Sequence, residues 1–291
     1  MRDLAQSETG QTAETPEALE HWPQPWSAFA RSGWWRALAR STASVLMLDY
    51  DGTLAPFQRE RMEATTYPGV PERLVRLAGT PGIRLVLVSG RPTIEISKLL
   101  PPDLNVEIWG SHGREKLLPG GHYEIASLTP EQNRCLDELQ DLVGRNGFPA
   151  QAERKIGSLA LHTRGLDPGE ATRIHELAES YYRSIVCVGH TDLEWMNFDG
   201  GIELRGTGCT KGNAVRAILA EVSEETPVAY LGDDQTDEDA FRALSHRSNA
   251  ACVLVRQEPR ASIAEWWIQP PDELLAFLDM YLEVRRSGAQ K

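Results

Sequence analysis

The chain has 291 residues, 41% apolar and 25% charged, the balance of an ordinary soluble globular protein with room for two domains or one large one. No run approaches the roughly 18 apolar residues of a membrane span, and a net charge of −12 argues against nucleic acid or anionic membrane as partners, so an anionic substrate needs local basic groups or a metal. Cys135, Cys187, Cys209 and Cys252 form no CxxC pair and the N-terminus has no apolar core, which argues against a structural zinc site, a disulfide framework and a secretory signal and leaves a reducing, cytoplasmic setting as the expectation.

Residues 1–24 are polar and aperiodic and read as a mobile extension. Trp22, Trp26, Phe29, Trp34 and Trp35 follow, and a helix laid on a sheet by its aromatic face accounts for them. Residues 45–48, Val-Leu-Met-Leu, form a strand buried on both faces, which runs into Asp49-Tyr50-Asp51-Gly52-Thr53. Strand geometry points Asp49 and Asp51 to one side, where they repel unless a cation intervenes or one is protonated. Gly52 lets the chain turn sharply off the strand end. A charged loop spans 56–67, a short helix 71–77, and a second buried strand, 83–88, ends in Ser89-Gly90-Arg91-Pro92. A third strand, 105–109, ends in Gly110-Ser111-His112-Gly113-Arg114-Glu115. Strands that each close on polar residues, with helices between, are the signature of a doubly wound α/β sheet.

Pro119-Gly120-Gly121 breaks the pattern, and the stretch to about 204 reads as α+β. It holds helices at 131–143 and 168–183 and strands at 158–163, 184–188 and 193–198. The turn His190-Thr191-Asp192 is expected to join the last two as an antiparallel pair. The doubly wound pattern then resumes with a helix at 211–222 and a buried strand at 227–231 that ends in Gly232-Asp233-Asp234-Gln235-Thr236-Asp237. A helix at 238–244, capped by Thr236 or Asp237, a strand at 249–255 and an amphipathic helix at 273–286 complete the chain.

Four polar clusters sit where strands end or helices begin: Asp49/Asp51, Ser89/Arg91, Thr210/Lys211 and Asp233/Asp234. In a doubly wound sheet such places converge on one crevice. Carboxylates gathered there need a divalent cation, and hard oxygen donors without His or Cys favour Mg²⁺ over zinc. Lys211 at a helix N-terminus, with Ser89, offers donors for a phosphate. A carboxylate nucleophile, a metal and a lysine suit attack on phosphorus through an aspartyl-phosphate.

Taken in order, Asp49-Tyr50-Asp51-Gly52-Thr53, Ser89-Gly90-Arg91, Lys211 and Gly232-Asp233-Asp234 closely resemble the haloacid dehalogenase superfamily of phosphatases, from about residue 44 onward. The resemblance implies a Rossmann-like core with a parallel sheet and an inserted α+β cap of the larger type. The expected division is a core of 25–118 and 205–291 and a cap of 119–204. It also implies Asp49 as nucleophile, Asp51 as general acid and then base, and Ser89 and Lys211 as phosphoryl ligands. Mg²⁺ would lie with Asp49, Asp233 and the Asp51 backbone carbonyl, and Asp234 would support its waters or the lysine.

Within the superfamily the chain is similar to trehalose-6-phosphate phosphatases. The likeness lies in Gly110-Ser111-His112-Gly113 with Glu115, Glu153-Arg154-Lys155, Ala160-Leu161-His162-Thr163-Arg164, Glu203-Leu204-Arg205 and Gly232-Asp233-Asp234-Gln235-Thr236-Asp237-Glu238. It implies Glu153, Lys155, Arg164 and Glu203 as ligands of sugar hydroxyls, with Arg91 and His112 also on the substrate. Four positions depart from the family pattern: Thr163 stands for Tyr, Cys209-Thr210 for Thr-Ser, and Arg205 for Lys. The implied activity is Mg²⁺-dependent hydrolysis of trehalose 6-phosphate, a related sugar phosphate such as a glycosyl-glycerate phosphate being the alternative. The implied partner is a small phosphosugar, with trehalose-6-phosphate synthase as pathway neighbour and a monomer as one open expectation for the assembly.

Overall fold

A computed structural model describes residues 21–58, 60–187, 192–198 and 200–288. The first part of the chain gives β1 (Gln24–Pro25), α1 (Trp26–Phe29), α2 (Trp34–Arg40), β2 (Ser44–Leu48), α3 (Val70–Ala78), β3 (Ile83–Val88), α4 (Thr93–Leu99), β4 (Glu107–Gly110), β5 (Glu115–Leu117) and β6 (Tyr123–Ile125). The middle gives α5 (Pro130–Arg145), β7 (Ala152–Arg154), β8 (Ser158–His162), α6 (Pro168–Cys187), β9 (Leu193–Phe198) and β10 (Gly201–Gly206). The last part gives α7 (Lys211–Ala220), β11 (Val228–Gly232), α8 (Glu238–Leu244), β12 (Ala250–Val255), β13 (Trp266–Ile268) and α9 (Asp272–Gly288).

Nine strands form one sheet in the order β1-β13-β12-β11-β2-β3-β4-β5-β6. It is parallel from β1 through β4, and β5 and β6 add an antiparallel edge. The apolar run of β2 lies at its centre, and the period of two divides that run between two interiors. Leu46 and Leu48 face a core with Leu38, Leu74, Phe277 and Leu278, from α2, α3 and α9. Val45 and Met47 face the other side, against Val215, Ile218 and Phe241 from α7 and α8. Burial on both faces is why the run shows no polar alternation. The early aromatics are core as expected, but in two short helices: Phe29 stacks on Trp266 with centroids 4.8 Å apart, while Trp22 is exposed.

The second sheet is antiparallel throughout, in the order β7-β8-β10-β9. One face is covered by α5 and α6: Leu159, Leu161, Ile202 and Leu204 meet Leu136, Leu139, Ile174 and Ala178 in a third interior. The alternate residues of β10, Glu203 and Arg205, point the opposite way. This alternation turns one side of the sheet into a charged wall.

Three expectations are corrected. Residues 184–187 are the last turn of α6, and β9 pairs with β10 instead; His190 and Thr191 of the expected turn lie outside the described residues. Ile185 explains the first correction, since it continues the buried helical stripe of Ile174 and Ala178, and the apolar pair Ile185-Val186 mimics a strand only locally. Pro119-Gly120-Gly121 is the turn of the β5–β6 hairpin, so the large sheet receives chain as far as Ile125. Among the described residues no helix is long and apolar enough to cross a membrane.

Candidate active site

Asp49, Ser89 and Asp233 each follow the last residue of a parallel strand, β2, β3 and β11, and these strands are neighbours. Lys211 opens α7, whose N-terminus is fixed by Thr210 and Asn213 in a reciprocal capping box. All four side chains are buried. Lys211 Nζ lies 2.9 Å from Asp49 Oδ1 and 2.8 Å from Asp237 Oδ1. Carboxylate oxygens of Asp49, Asp233 and Asp237 lie within 4.8 Å of one another. Gly52 has φ +76° and sits against this group, where a Cβ would stand 2.2 Å from Asp233 Oδ2. Both the turn and the close approach therefore demand glycine.

Three acids and one ammonium leave surplus negative charge out of water. Burial holds the Asp49 carboxyl well above the usual carboxylate range; Lys211 opposes that rise, and Asp237 and Asp233 add to it. Asp233 is pushed up to about 8 by burial, then by Asp237 and Asp234. Burial alone would lower the Lys211 ammonium, but Asp237 and Asp49 hold it above its ordinary value.

Asp237 is the residue that sequence reasoning missed. It stands at the start of α8 but does not cap it. Its Oδ1 accepts from Lys211 Nζ (2.8 Å) and the Tyr230 hydroxyl (2.6 Å), and its Oδ2 from the amides of Asp233 and Asp234 (both 3.0 Å). The available signal is spacing: a helical turn over Gln235–Asp237 returns a side chain four residues on beneath the amide of Asp233.

The carboxylates of Asp234 and Asp51 have partners of their own, which leaves the Asp51 backbone carbonyl as the group expected at the metal. The Asp234 carboxylate accepts from the amide and hydroxyl of Thr236, at 2.8 and 2.7 Å. Asp51 takes both prongs of Arg91, Nε to Oδ2 and Nη2 to Oδ1, each at 2.6 Å. Asp49 and Asp51 thus have different partners, because β2 ends at Leu48 and the strand period does not reach Asp51. Arg91 is buried over the Tyr50 ring, and its amide donates to Ser89 Oγ at 3.1 Å.

A cavity of about 350 Å³ lies between the turns that follow β3 and β4, at Gly90, Ser111 and His112, and the charged wall of the small sheet, at Glu153, Lys155, Ser158, Glu203 and Arg205. Ser111 and His112 have φ of 48° and 57°, uncommon for residues with a Cβ. Buried Glu115 secures this strained turn, accepting from Ser111 Oγ at 2.5 Å, Thr93 Oγ1 at 3.2 Å and the Tyr123 hydroxyl at 2.9 Å. The His112 imidazole is driven down to about 3 by burial and by the charges of Lys211 and Arg205, so it is neutral near pH 7. Its Nδ1 is buried with no hydrogen-bond partner among the described residues.

Across the cavity Glu203 accepts from Ser158 Oγ and pairs with Lys155 at 3.4 Å, while Glu153 pairs with His162 at 2.8 Å. Arg91 and Arg164 do not line it, and Arg164 packs instead on Gly200, at the turn between β9 and β10. Of the expected substrate residues, His112, Glu153, Lys155 and Glu203 are brought together and these two arginines are not.

A family model described as trehalose-phosphatase matches residues 47–267. The chain belongs to the trehalose-phosphatase family. It is 25% identical over 255 residues to the Schizosaccharomyces pombe protein named trehalose-phosphatase, covering 82% of this chain and 31% of that one. It is 29% identical over 205 residues to the bifunctional trehalose-6-phosphate synthase/phosphatase of Thermoproteus tenax, covering 70% and 27%. The chain thus spans less than a third of each of these two relatives. The C. albicans trehalose-6-phosphate phosphatase C-terminal domain shares the fold, with a TM-score of 0.70 at 22% identity over 91% of this chain and 99% of that one.

Every residue of the acidic cluster falls within the span matched by the trehalose-phosphatase model. So do the departures at Thr163, Arg205, Cys209 and Thr210. Thr210 keeps the helix cap, its hydroxyl accepting from the Asn213 amide at 3.3 Å, and Arg205 keeps a cation on the cavity wall.

Proposed function

We propose that the chain hydrolyses trehalose 6-phosphate to trehalose and phosphate with Mg²⁺ as cofactor, by the aspartyl-phosphate route of haloacid dehalogenase phosphatases. One observation carries the reading: a buried carboxylate at a central strand end, Asp49, held 2.9 Å from a buried lysine, among two further acids and beside a cavity with a charged opposite wall.

The donor set suits Mg²⁺. The cluster offers hard oxygens only, and its acids raise one another's affinity for protons, a repulsion that a divalent cation relieves. Asp49 and Asp233 are the side chains to hold it. Asp237 is not, because each of its oxygens already accepts two hydrogen bonds, about all that a carboxylate accommodates. When bound, the ion draws charge from the phosphoryl oxygens and lessens their repulsion of Asp49.

Lys211 and Ser89 hold the phosphoryl group, and an Asp49 oxygen attacks phosphorus as the bond to the sugar oxygen breaks. Asp51 gives its proton to that oxygen and later takes one from the water that cleaves the aspartyl-phosphate. It must first release at least one prong of Arg91, which makes Arg91 a keeper of the acid rather than a ligand of the sugar. The small sheet is the cap: Glu153, Lys155 and Glu203 face the disaccharide, where charged groups form the stronger hydrogen bonds to hydroxyls. In this reading the cap runs from about 126 to 204 and the core is about 25–125 with 205–291, since β6 pairs with β5 in the large sheet. Thr163, in place of the family tyrosine, favours a related sugar phosphate as the second reading. A cytoplasmic setting fits the four free cysteines, and the bifunctional relative supports a trehalose-6-phosphate synthase as neighbour in the pathway.

Phosphate release across a panel of phosphosugars, with and without chelator, tests this. Trehalose 6-phosphate should be turned over fastest and lose its turnover on chelation. No release from trehalose 6-phosphate, or full release after chelation, would count against it.

A further inference from the structure

The chain crosses between the two sheets twice, from β6 to α5 around 126–129 and from β10 to α7 around 206–210. Arg114, buried just before β5, reaches both crossings. Its Nη1 donates to the Ala126 carbonyl at 2.9 Å and its Nη2 to the Gly206 carbonyl at 3.0 Å. Its own carbonyl accepts from the Ala126 amide at 2.8 Å, so the outgoing crossing is gripped from two directions. The Gly206 amide in turn donates to the Gly157 carbonyl at 2.9 Å. Gly157 lies against the same guanidinium, and a Cβ there would stand 2.1 Å from Nε. It belongs to the turn between β7 and β8 that brings Lys155 to the cavity. A single planar fork thus touches the exit from the core, the return to it, and a loop of the wall that faces it.

We propose that Arg114 is a positioning residue, a pin that sets the angle of the four-stranded unit against the large sheet and so fixes how far Lys155 and Glu203 stand from the phosphoryl site. The physical reason is the shape of the group. Two rigidly spaced donors can span two carbonyls, whereas an ammonium on a flexible stem acts as one point. A disaccharide phosphate meets both walls at once, and a misplacement of about 1 Å can reduce turnover by roughly a hundredfold. A small ester meets the core alone. The substrate part of this inference rests on the phosphatase reading above; the structural part does not.

Arg114→Lys, Arg114→Met and Gly157→Ala are compared with the parent on trehalose 6-phosphate and on p-nitrophenyl phosphate, and amide hydrogen exchange is followed at 126–129 and 206–210. Gly157→Ala tests the pin from the other side, since its methyl displaces the guanidinium while Arg114 stays in place. Expected is a fall of roughly ten- to hundredfold in kcat/KM on the sugar phosphate, with the small ester within about twofold of the parent. Exchange at both crossings should rise together. Three results overturn the proposal: Arg114→Lys matching the parent on the sugar phosphate, which would make the charge and not the fork responsible; equal losses on both substrates; or unchanged exchange at the crossings. Should the parent itself leave trehalose 6-phosphate intact, the substrate reading fails and the exchange measurement still decides the pin.

Discussion

Asp237→Asn is the sharpest test of how the acidic cluster is held. The side chain accepts four hydrogen bonds, two on each oxygen. An amide has only one oxygen. Turned toward the amides of Asp233 and Asp234, it sets its NH₂ against the Lys211 ammonium and the Tyr230 hydroxyl; turned the other way, it sets NH₂ against two backbone N–H groups. Either orientation puts donors against donors where no water reaches, since Asp237 is 0% exposed. Removing one partner of a buried ion pair costs about 3–5 kcal/mol, and the lost repulsion of Asp49 and Asp233 offsets part of that. A net loss of about 2–4 kcal/mol corresponds to a fall in Tm of roughly 3–7 °C for a protein of this size. Phosphatase turnover should drop about a hundredfold, because Lys211 loses one of its two anchors. Tyr230→Phe, which removes one donor and adds no clash, should cost only about 1 kcal/mol. Thermal unfolding and phosphate release read both variants. A Tm within about 2 °C of the parent, with turnover intact, would refute the reasoning.

Asp49→Asn should abolish turnover, because a carboxamide cannot form the acyl-phosphate, and phosphate release in a single-turnover assay checks it. Gly52→Ala combines φ +76° with a methyl 2.2 Å from Asp233 Oδ2; it should lower stability by about 1–2 kcal/mol and raise the Mg²⁺ concentration needed for half-maximal thermal stabilisation roughly tenfold. His112 gives a pH dependence: its folded-state value of about 3 lies below the ordinary 6.5, so the unfolded chain takes up a proton that the folded chain refuses. The stability it contributes is complete above 6.5 and is lost as pH falls toward 3, by about 2 kcal/mol between pH 6.5 and 5. Urea unfolding should show that slope in the parent and a slope smaller by about one proton in His112→Gln; identical slopes would exclude it.

The strands of the large sheet were legible because each is an unbroken apolar run, and such runs leave only one place for the polar residues that follow them. That is why Asp49, Ser89, Lys211 and Asp233 meet although up to 184 positions separate them in sequence. What local pattern could not supply was tertiary. Ile185 looks like the start of a strand until the faces of α5 and α6 are seen to share an interior. Strand β10 is bounded by Gly201 and Gly206, residues that read as loop, and only pairing on both sides makes it a strand. Asp237 resembled a helix cap because acids are common there. Its real task, balancing Lys211 and two amides, depends on how β11 and α7 approach each other. That Arg91 pairs with Asp51 and Arg164 packs on Gly200 was not legible, because a basic residue within a motif does not say which of its neighbours it will bind.

The three packed interiors do not merge. The leucines of β8 and β10 share theirs with α5, α6 and Leu193 of β9, while the apolar residues of β2 are divided between the large sheet's own two. Substitutions on the charged side of the small sheet can therefore accumulate without loosening the strand ends that carry Asp49, Ser89 and Asp233. On the phosphatase reading proposed above, a lineage carrying this architecture would change which sugar it accepts by editing one wall and still inherit its chemistry intact.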